Sequence, residues 1–435
     1  MSKARRDGLQ ILMLGALVFL SLGLVLERSN PHAMEDFGVV YFPARTLLHH
    51  ADPYNQADVL REYEAEGGDS LWKSPLDQGI ITHYQYPPPS FCITAPFALM
   101  PWNVAQFLWA GLAAGGMILA AFLLWSLCAD YAPVTAGVLI GFLLANSQVL
   151  LVLGNAAGPA VSLCIIAVWS FLRGKYPLLG VLCLAGSLML KPHDSVLVWL
   201  FFLLAGSVYR KRALQVLGLI AVSAAPIVLY LFRLSSSWMR ELRFNIAGLS
   251  VHGGPADPGP ASAVSHGLGM MVNLQAAIST FWDDPRVYNP VAYLVCGLLL
   301  AALAVLVLRS RISTQSAWLA IASVSALSLL PIYHHLYDAK LILLSVPACV
   351  MLQAQGKRLG RLAPWVTGIA FVFTGDLAWS FLIGFIGALG GTATWLGGKF
   401  IYAAQTVPAP FAILLLGVFY LYAFARQVRE ERMAQ

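Results

Sequence analysis

Charged residues are scarce in this chain. Only 11% of its 435 residues are Asp, Glu, Lys or Arg, whereas 59% are hydrophobic. Soluble domains carry about 25% charged and about 45–50% apolar residues. A water-soluble chain of this length could not cover its surface with so few charges. The composition therefore excludes an ordinary soluble globular protein and indicates that lipid surrounds much of the molecule.

Cysteine is also rare, and its spacing excludes two kinds of site. The chain has 6 cysteines, and no two of them form a CxxC motif. Neither a zinc site nor a disulfide framework is therefore indicated. The chain also lacks clusters of basic residues with interleaved aromatics. Its net charge of +6 therefore does not indicate nucleic-acid binding.

Apolar runs long enough to cross a bilayer recur along the whole chain. A spanning helix needs about 20 such residues. We predict an all-α integral membrane protein with about twelve transmembrane helices, forming a single polytopic domain over residues 1–435. Interrupted apolar stretches at 91–100 and 386–404 could be re-entrant. The predicted spans are 9–26, 103–128, 132–153, 158–172, 176–190, 194–208, 213–232, 290–308, 316–332, 339–353, 362–385 and 408–425.

Basic residues predict how the chain is oriented. Short cytoplasmic loops of membrane proteins carry an excess of Lys and Arg. Here the basic clusters fall at alternate junctions: 3–6, 173–175, 210–212, 309–311, 357–361 and 426–432. We therefore expect a multi-pass protein of the inner (plasma) membrane with both termini in the cytoplasm. The first apolar run lacks a small-residue cleavage site, so we expect an uncleaved first helix. Loops 27–102 and 233–289 are expected to be extracytoplasmic.

Ionisable residues gather at the predicted outer ends of the helices. Such groups near membrane depth are unfavourable and therefore suggest function, although Lys and His at an interface often only anchor a helix. Several segments carry them on the same side, which favours a common site. The residues are Asp36, Lys191, His193, Asp194, His334, His335, Asp338 and Lys340.

Asp36 is the candidate general base. It follows the first predicted helix, where a carboxylate could accept a proton from an attacking hydroxyl group. A helix N-cap or a surface ion pair is the structural alternative for Asp36, and Glu35 competes for the catalytic role.

A phosphate site is a second candidate. His334, His335 and Lys340 could donate hydrogen bonds to anionic oxygens, and Lys191 could add a cation from another helix end. A metal site made of His334, His335 and Asp338 is the competing idea. Adjacent histidines in an irregular loop are a weak ligand pattern. We therefore expect neither a metal nor a cofactor.

An ordered set of short motifs spans most of the chain. The motifs are Asp36-Phe37 with Tyr41, Asp52-Pro53-Tyr54, Tyr86-Pro87-Pro88, Gly154-Asn155, Lys191-Pro192 and Tyr337-Asp338. In this order they resemble glycosyltransferase family 87, a polytopic family with the GT-C fold. The chain departs from the pattern at Gly154-Asn155, where many relatives have Gly-Gln. The Gly- and Pro-rich centre of loop 233–289 also has no counterpart in the family.

The resemblance implies a GT-C fold and inverting transfer of a hexose on the extracytoplasmic face. The donor would be a polyprenyl-phosphate-linked sugar, with mannose as the first candidate, and the acceptor a lipid or glycan. By this analogy Asp36 is the catalytic base, and Lys191 with His334, His335 and Lys340 binds the donor phosphate. The further residues expected to bind substrate are Tyr41, Tyr86, Asn155, His193, Tyr337 and Asp338.

Two other classes of protein remain as alternatives. A twelve-helix secondary transporter fits the helix number and the cytoplasmic termini equally well, but such transporters often have repeated halves and binding residues at the midplane. In this chain the halves are not visibly alike and the helix interiors are nearly free of charge. A non-catalytic assembly factor would have no need for a carboxylate and paired histidines on one face. The sequence therefore favours the transferase.

Overall fold

The chain is helical throughout the part that the structure describes. The computed structural model describes residues 1–68, 72, 75–262, 271–377 and 407–433. These ranges contain no strand, only an isolated bridge between Met271 and His335. The all-α prediction is therefore confirmed for them. The interrupted stretch 386–404 and the end of the predicted span 362–385 lie outside the described residues.

Helices of very different length follow one another along the chain. Short 3₁₀ turns occur at Pro88–Ser90 and Asp338–Leu344. The described α-helices are α1 (Lys3–Ser29), α2 (Glu35–Leu48), α3 (Gln56–Ala65), α4 (Pro75–Thr82), α5 (Phe91–Ala98), α6 (Trp102–Cys128), α7 (Pro133–Ala145), α8 (Val149–Val152), α9 (Ala157–Arg173), α10 (Pro177–Leu190), α11 (Pro192–Leu204), α12 (Ser207–Leu234), α13 (Trp238–Ser250), α14 (Leu274–Ser279), α15 (Pro285–Leu308), α16 (Thr314–Leu327), α17 (Ser345–Ala354), α18 (Arg358–Phe373) and α19 (Pro408–Met433).

Six helical segments of the described chain are long and apolar enough to cross a membrane. They are α1, α6, α7 continued through α8, α12, α15 and α19. Helices α9, α10 and α11 are apolar but shorter, with 17, 14 and 13 residues, whereas a full span takes about 20. The protein is thus a membrane protein, and the count of about twelve spans stays a prediction.

Protein rather than lipid surrounds the short helix α9. Almost all of its residues are buried against neighbouring helices. A helix in this position needs no continuous contact with the bilayer, so it can be shorter than the membrane is thick. Its first turn lies inside the molecule and closely follows Asn155 in the chain, a residue of the candidate site described below.

Glycine brings α1 and α7 into direct backbone contact. A Cβ atom at Gly15 would lie 2.3 Å from the carbonyl oxygen of Gly141, and one at Gly137 would lie 2.3 Å from that of Gly8. Helices in lipid associate through such close packing, because the hydrophobic effect does not drive them together there. The contact fixes α1 against the body of the protein and so determines where α2 begins.

The first turn of α2 is attached to the end of α8. The amide of Met34 donates to the carbonyl of Val152 at 2.8 Å, and that of Phe37 donates to Leu153 at 3.3 Å. Met34 has a φ of 61°, and this left-handed residue turns the chain from α1 into α2. The Phe37 ring stacks on Trp109 with centroids 5.1 Å apart. These contacts hold the start of α2 in one orientation.

The predicted cytoplasmic junctions meet one another in the structure. Arg5 near the N-terminus forms an ion pair with Asp130, which lies in the loop between α6 and α7. At the other terminus, the Ser313 hydroxyl donates to the Glu431 carboxylate at 2.7 Å. Each contact joins two segments that the order of the predicted spans places on one side of the membrane. The identity of that side stays a prediction.

Cysteine labelling tests the orientation at exposed positions. In a variant without reactive native cysteines, Glu64→Cys and Val251→Cys should react with a membrane-impermeant maleimide in intact cells. Both residues are exposed and lie in loops 27–102 and 233–289. Gln355→Cys, exposed between α17 and α18, should react only after permeabilisation. The opposite pattern would show that the orientation inferred from the basic clusters is inverted.

Candidate active site

A cavity of about 770 Å³ lies where several distant parts of the chain meet. Its walls come from the start of α2, the Pro-rich segment before α5, the segment between α8 and α9, the α10–α11 junction and the loop before the second 3₁₀ turn. Its polar lining includes Glu35, Asp36, Gln85, Tyr86, Asn155, Lys191, His193, Tyr333, His335 and Tyr337. The structure thus brings most of the predicted site residues to one place.

Asp36 faces this cavity, and a hydrogen bond from Asn155 orients its carboxylate. Asp36 is the second residue of α2, and its Oδ2 accepts a hydrogen bond from Asn155 Nδ2 at 2.8 Å. The Asn155 Oδ1 atom accepts from the Ala157 amide at 2.8 Å and from Lys191 Nζ at 3.3 Å. Since both of these partners are donors, the amide orientation is fixed. Asn155 can therefore present only its NH₂ group to Asp36.

Gly154 sets the position of Asn155. Its φ of +64° lies in the left-handed region, which favours glycine. A Cβ atom there would lie 2.9 Å from Met34 Sδ and from Phe37 Cβ. The carbonyl of Gly154 accepts a hydrogen bond from Trp109 Nε1 at 2.7 Å. The backbone can therefore turn between α8 and α9 close beneath the first turn of α2.

A buried ion pair lies beside Asn155; Lys191 lines the cavity, whereas Asp338, predicted to bind substrate, does not. Lys191 Nζ contacts Asp338 Oδ1, and both side chains are buried. Asp338 Oδ2 also accepts the His335 backbone amide at 2.8 Å, and Lys191 Nζ lies 4.6 Å from the centroid of the Tyr337 ring. Pro192 ends α10 at Lys191 because a proline nitrogen has no hydrogen to donate. The ion pair thus joins the α10–α11 junction to loop 333–338.

The surroundings of Asp36 change its acidity. Burial raises the pKa of its carboxyl above the ordinary value, while the hydrogen bond from Asn155 and the positive charge of Lys191 oppose this increase. Burial is the largest of these effects, so the carboxylate is a stronger base than an exposed aspartate. The geometry and the pKa both suit proton transfer from a hydroxyl group held in the cavity.

His335 reaches the cavity with both ring nitrogens free of hydrogen bonds within the described part of the chain. Its ring stacks on Tyr337 at an angle of 8° with centroids 5.0 Å apart. Burial lowers the pKa of His335 to about 4, although Asp338 opposes the shift. The imidazole is therefore neutral at physiological pH and offers one donor and one acceptor.

His334 points away from its neighbour. It does not line the cavity, and its Nε2 lies 3.6 Å from Asp194 Oδ1. The metal set considered from the sequence, His334 with His335 and Asp338, is not assembled, because Asp338 is occupied by Lys191 and the His335 amide. The structure instead groups His334 with His193 and Asp194.

Lys340 lies in a separate, buried site. Its ammonium donates to the carbonyls of Asn146 at 2.9 Å and Thr374 at 2.6 Å, and to Asp376 Oδ1 at 2.8 Å. All three donors of a lysine are therefore used, and Lys340 does not line the cavity. This placement does not support the prediction that Lys340 binds a donor phosphate.

Tyr41 also differs from its predicted placement at the substrate. Its hydroxyl donates to the Met100 carbonyl at 2.8 Å, and its ring packs edge-on against Trp102 with centroids 5.1 Å apart. It is fully buried and does not line the cavity. The geometry indicates that Tyr41 holds α2 in place and does not contact a substrate.

Gln85 and Tyr333 line the cavity, but the sequence analysis did not select them. Each immediately precedes a selected residue: Gln85 comes before Tyr86, and Tyr333 before the histidine pair. Their position beside those motifs was the only indication in the sequence that they belong to the site. Sequence position alone does not show which neighbours of a motif face the cavity.

Comparison with known proteins identifies one family. The model of glycosyltransferase family 87 matches residues 84–337, which is more than half of the chain. No curated protein and no solved structure matches. The matched range contains Tyr86, Asn155, Lys191 and His335, whereas Asp36 precedes it. The family match therefore does not cover Asp36, and its assignment as a general base rests on the geometry of the cavity.

Replacing Lys340 with Met should destabilise the fold without a specific effect on the donor. Asp376 would lose the buried positive charge that faces it, and breaking such a pair costs about 3–5 kcal/mol. The measurement is the midpoint of thermal unfolding in detergent. Lys357→Met is the control, since Lys357 is exposed and pairs with Glu430 at 3.4 Å. A Lys340→Met protein of wild-type stability that binds the donor poorly would contradict a structural role.

Proposed function

The chain belongs to glycosyltransferase family 87, and we propose that it transfers a hexose from a polyprenyl-phosphate-linked donor to a lipid or glycan acceptor. The reaction takes place at the extracytoplasmic side of the inner membrane and inverts the anomeric centre, and mannose is the first candidate sugar. Family membership favours this function over the twelve-helix transporter, which composition alone leaves open.

The placement of Asp36 carries the proposal. An attacking sugar hydroxyl is a weak nucleophile at neutral pH and needs a positioned base. Asn155 fixes one carboxylate oxygen of Asp36 at 2.8 Å, while the residue remains partly exposed within the cavity. As the acceptor oxygen bonds to the anomeric carbon, Asp36 takes its proton and the bond to the donor phosphate breaks. A single displacement of this kind inverts the configuration.

Lys191 and His335 are the proposed contacts of the donor phosphate. Asp338 and Asn155 account for two of the three donors of the Lys191 ammonium, so one remains for an anionic oxygen. His335 adds a neutral hydrogen-bond donor on the same cavity wall. The lipid phosphate leaves as an anion, so it needs little or no general acid. One carboxylate then suffices, in contrast to the two used in glycoside hydrolysis.

Apolar residues on two sides of the cavity suit a polyprenyl chain. Val149, Val152 and Leu153 come from α8 and its end, and Ile246 and Leu249 come from α13. A polar centre flanked by such walls matches a ligand with a charged head and a hydrocarbon tail. This pattern supports a lipid-linked donor over a soluble sugar nucleotide.

Sugar hydroxyls would meet the remaining polar groups. Tyr86 and His193 line the cavity near Asp36 and Lys191, together with Tyr337. These side chains both donate and accept hydrogen bonds, as recognition of a hexose requires. We propose them as substrate-binding residues, with Asn155 and Asp338 acting through the groups that they orient.

Asp36→Asn should give a folded, membrane-inserted protein that binds the donor but transfers sugar about 10²–10⁴ times more slowly, the usual range for a general base. The amide keeps the shape of the carboxylate and removes its basicity. The measurement is single-turnover transfer with a polyprenyl-phosphate sugar as donor, alongside donor binding.

Glu35→Gln is the matched control for Asp36, because it changes the neighbouring cavity carboxylate. Wild-type kcat/KM should fall as the pH drops through the raised pKa of Asp36, since protonation removes the base, and Asp36→Asn should lack this dependence. Near-normal turnover of Asp36→Asn would refute the assignment, and loss of turnover only in Glu35→Gln would transfer the role to Glu35.

Lys191→Gln and His335→Gln should each weaken use of the donor about ten-fold or more, because a charge-assisted hydrogen bond contributes roughly 1.5–3 kcal/mol. The measurement is the KM for the donor at saturating acceptor. Lys191→Arg should restore part of the affinity, since it keeps the charge.

A double variant guards against misfolding in the lysine experiment. Lys191→Gln combined with Asp338→Asn removes both charges of the buried pair, so neither is left unpaired. This variant should fold better than Lys191→Gln and still bind the donor weakly. Wild-type donor KM values in the folded double variant and in His335→Gln would together reject the proposed phosphate contacts.

A further inference from the structure

A second group of polar side chains lies beside the cavity. His193 Nε2 and His334 Nε2 each lie 3.6 Å from the same atom, Asp194 Oδ1. The side chains of Asp194 and His334 are completely buried. Within the described residues, no group donates a hydrogen bond of good geometry to either Asp194 oxygen or pairs in this way with either Nε2 atom. The Asp338 carboxyl and the His193 backbone do lie near enough to interact with Asp194 and His334. Buried polar atoms are nearly always hydrogen-bonded, so these four atoms require an explanation.

The hydrogen bonding of His334 indicates which atom carries its lone pair. Its Nδ1 lies 3.1 Å from the Ile332 carbonyl oxygen, and because a carbonyl can only accept, Nδ1 carries the proton. In the neutral ring Nε2 then bears a lone pair directed at the Asp194 carboxylate. Two electron-rich atoms facing each other at this distance repel, unless a proton or a cation lies between them.

The electrostatic surroundings of Asp194 also favour a bound cation. Asp194 lies in the first turn of α11, where the helix dipole favours a carboxylate. Its oxygens nevertheless accept no hydrogen bond from the backbone amides of that turn. The nearby ammonium of Lys191 is held by Asp338. Asp194 also lies beside the second buried carboxyl group, Asp338, and two neighbouring buried carboxylates with one ammonium between them are strongly unfavourable. A bound cation would remove this penalty and satisfy both histidines as well.

We propose that His193, Asp194 and His334 bind a divalent transition-metal ion of the zinc class. Zinc bonds of about 2.0–2.2 Å in a tetrahedron hold neighbouring ligand atoms about 3.3–3.6 Å apart. The two His–Asp separations of 3.6 Å agree with this spacing, and all three ligand atoms lie within 4.8 Å of one another. Two imidazoles favour zinc over Mg²⁺ and Ca²⁺, which prefer oxygen ligands.

The surroundings resemble those of metal-bound histidines. A ligating imidazole usually donates its other N–H to a carbonyl or carboxylate, which fixes the ring, and His334 does so to Ile332. The partly exposed His193 lines the cavity, so the ion would lie at its edge. With Nε2 on the ion, His193 would meet a substrate only as a donor, through its Nδ1–H. The ion would also join the start of α11 to loop 333–338, which carries His335 and Asp338. This site does not depend on the proposed sugar transfer.

Metal content tests the site directly. The tag-free protein, purified in detergent without chelators, should contain about one zinc per chain. After removal of the metal by a chelator it should take up about one Co²⁺, with the visible absorption of a tetrahedral cobalt site. Asp194→Asn and His334→Gln should lose this uptake. His49→Gln is the control for histidine number, because His49 is exposed and pairs with Glu62 at 2.8 Å.

Each result either supports or overturns the proposal. A folded wild-type protein that takes up neither zinc nor cobalt would overturn it, leaving a shared proton between Asp194 and the histidines as the explanation. Uptake that is unchanged in Asp194→Asn and His334→Gln would place the ion elsewhere and also overturn it. If those two variants do not fold, His193→Gln decides, because its side chain is 31% exposed and tolerates change.

Discussion

The ion pair between Lys191 and Asp338 organises the polar part of this protein. It joins the α10–α11 junction to loop 333–338, two segments far apart in the sequence. From Lys191 a hydrogen bond continues to Asn155 and from there to Asp36, while Asp338 fixes the backbone of His335. A buried pair contributes little net stability unless its remaining hydrogen bonds are satisfied. Here those bonds orient the groups proposed to act on the donor and the acceptor.

Apolar packing supplies the rigid frame for this network. Glycine contacts bring α1 and α7 together, and aromatic rings hold the first turn of α2 against α6. Precise placement of a base and a leaving group requires such a frame. The polar groups of the cavity come from helix ends and from the segments between helices, which is where our proposal places the head group of a lipid-linked sugar.

The candidate site was partly predictable from the sequence, and its errors have a common cause. Asp36 and Lys191 were selected because they lie at helix ends on one predicted side, and Asn155 because of the resemblance to the family. Lys340 was selected by the same reasoning, but a 3₁₀ turn carries it past the cavity to Asp376. The adjacent residues His334 and His335 point to different partners. Proximity in sequence does not determine which way a side chain in an irregular loop points.

The sequence by itself determined the membrane setting, the helical class and the family. Those properties follow from composition, apolar run length and motif order, which are local or additive. Only the tertiary structure decided that Asn155 links Asp36 to Lys191 and that His193, Asp194 and His334 form a separate group. The Asn155–Asp36 and His334–Asp194 contacts join residues more than a hundred positions apart, and the Asn155–Lys191 contact joins residues 36 positions apart. Only the packing of the helices fixes these distances and directions.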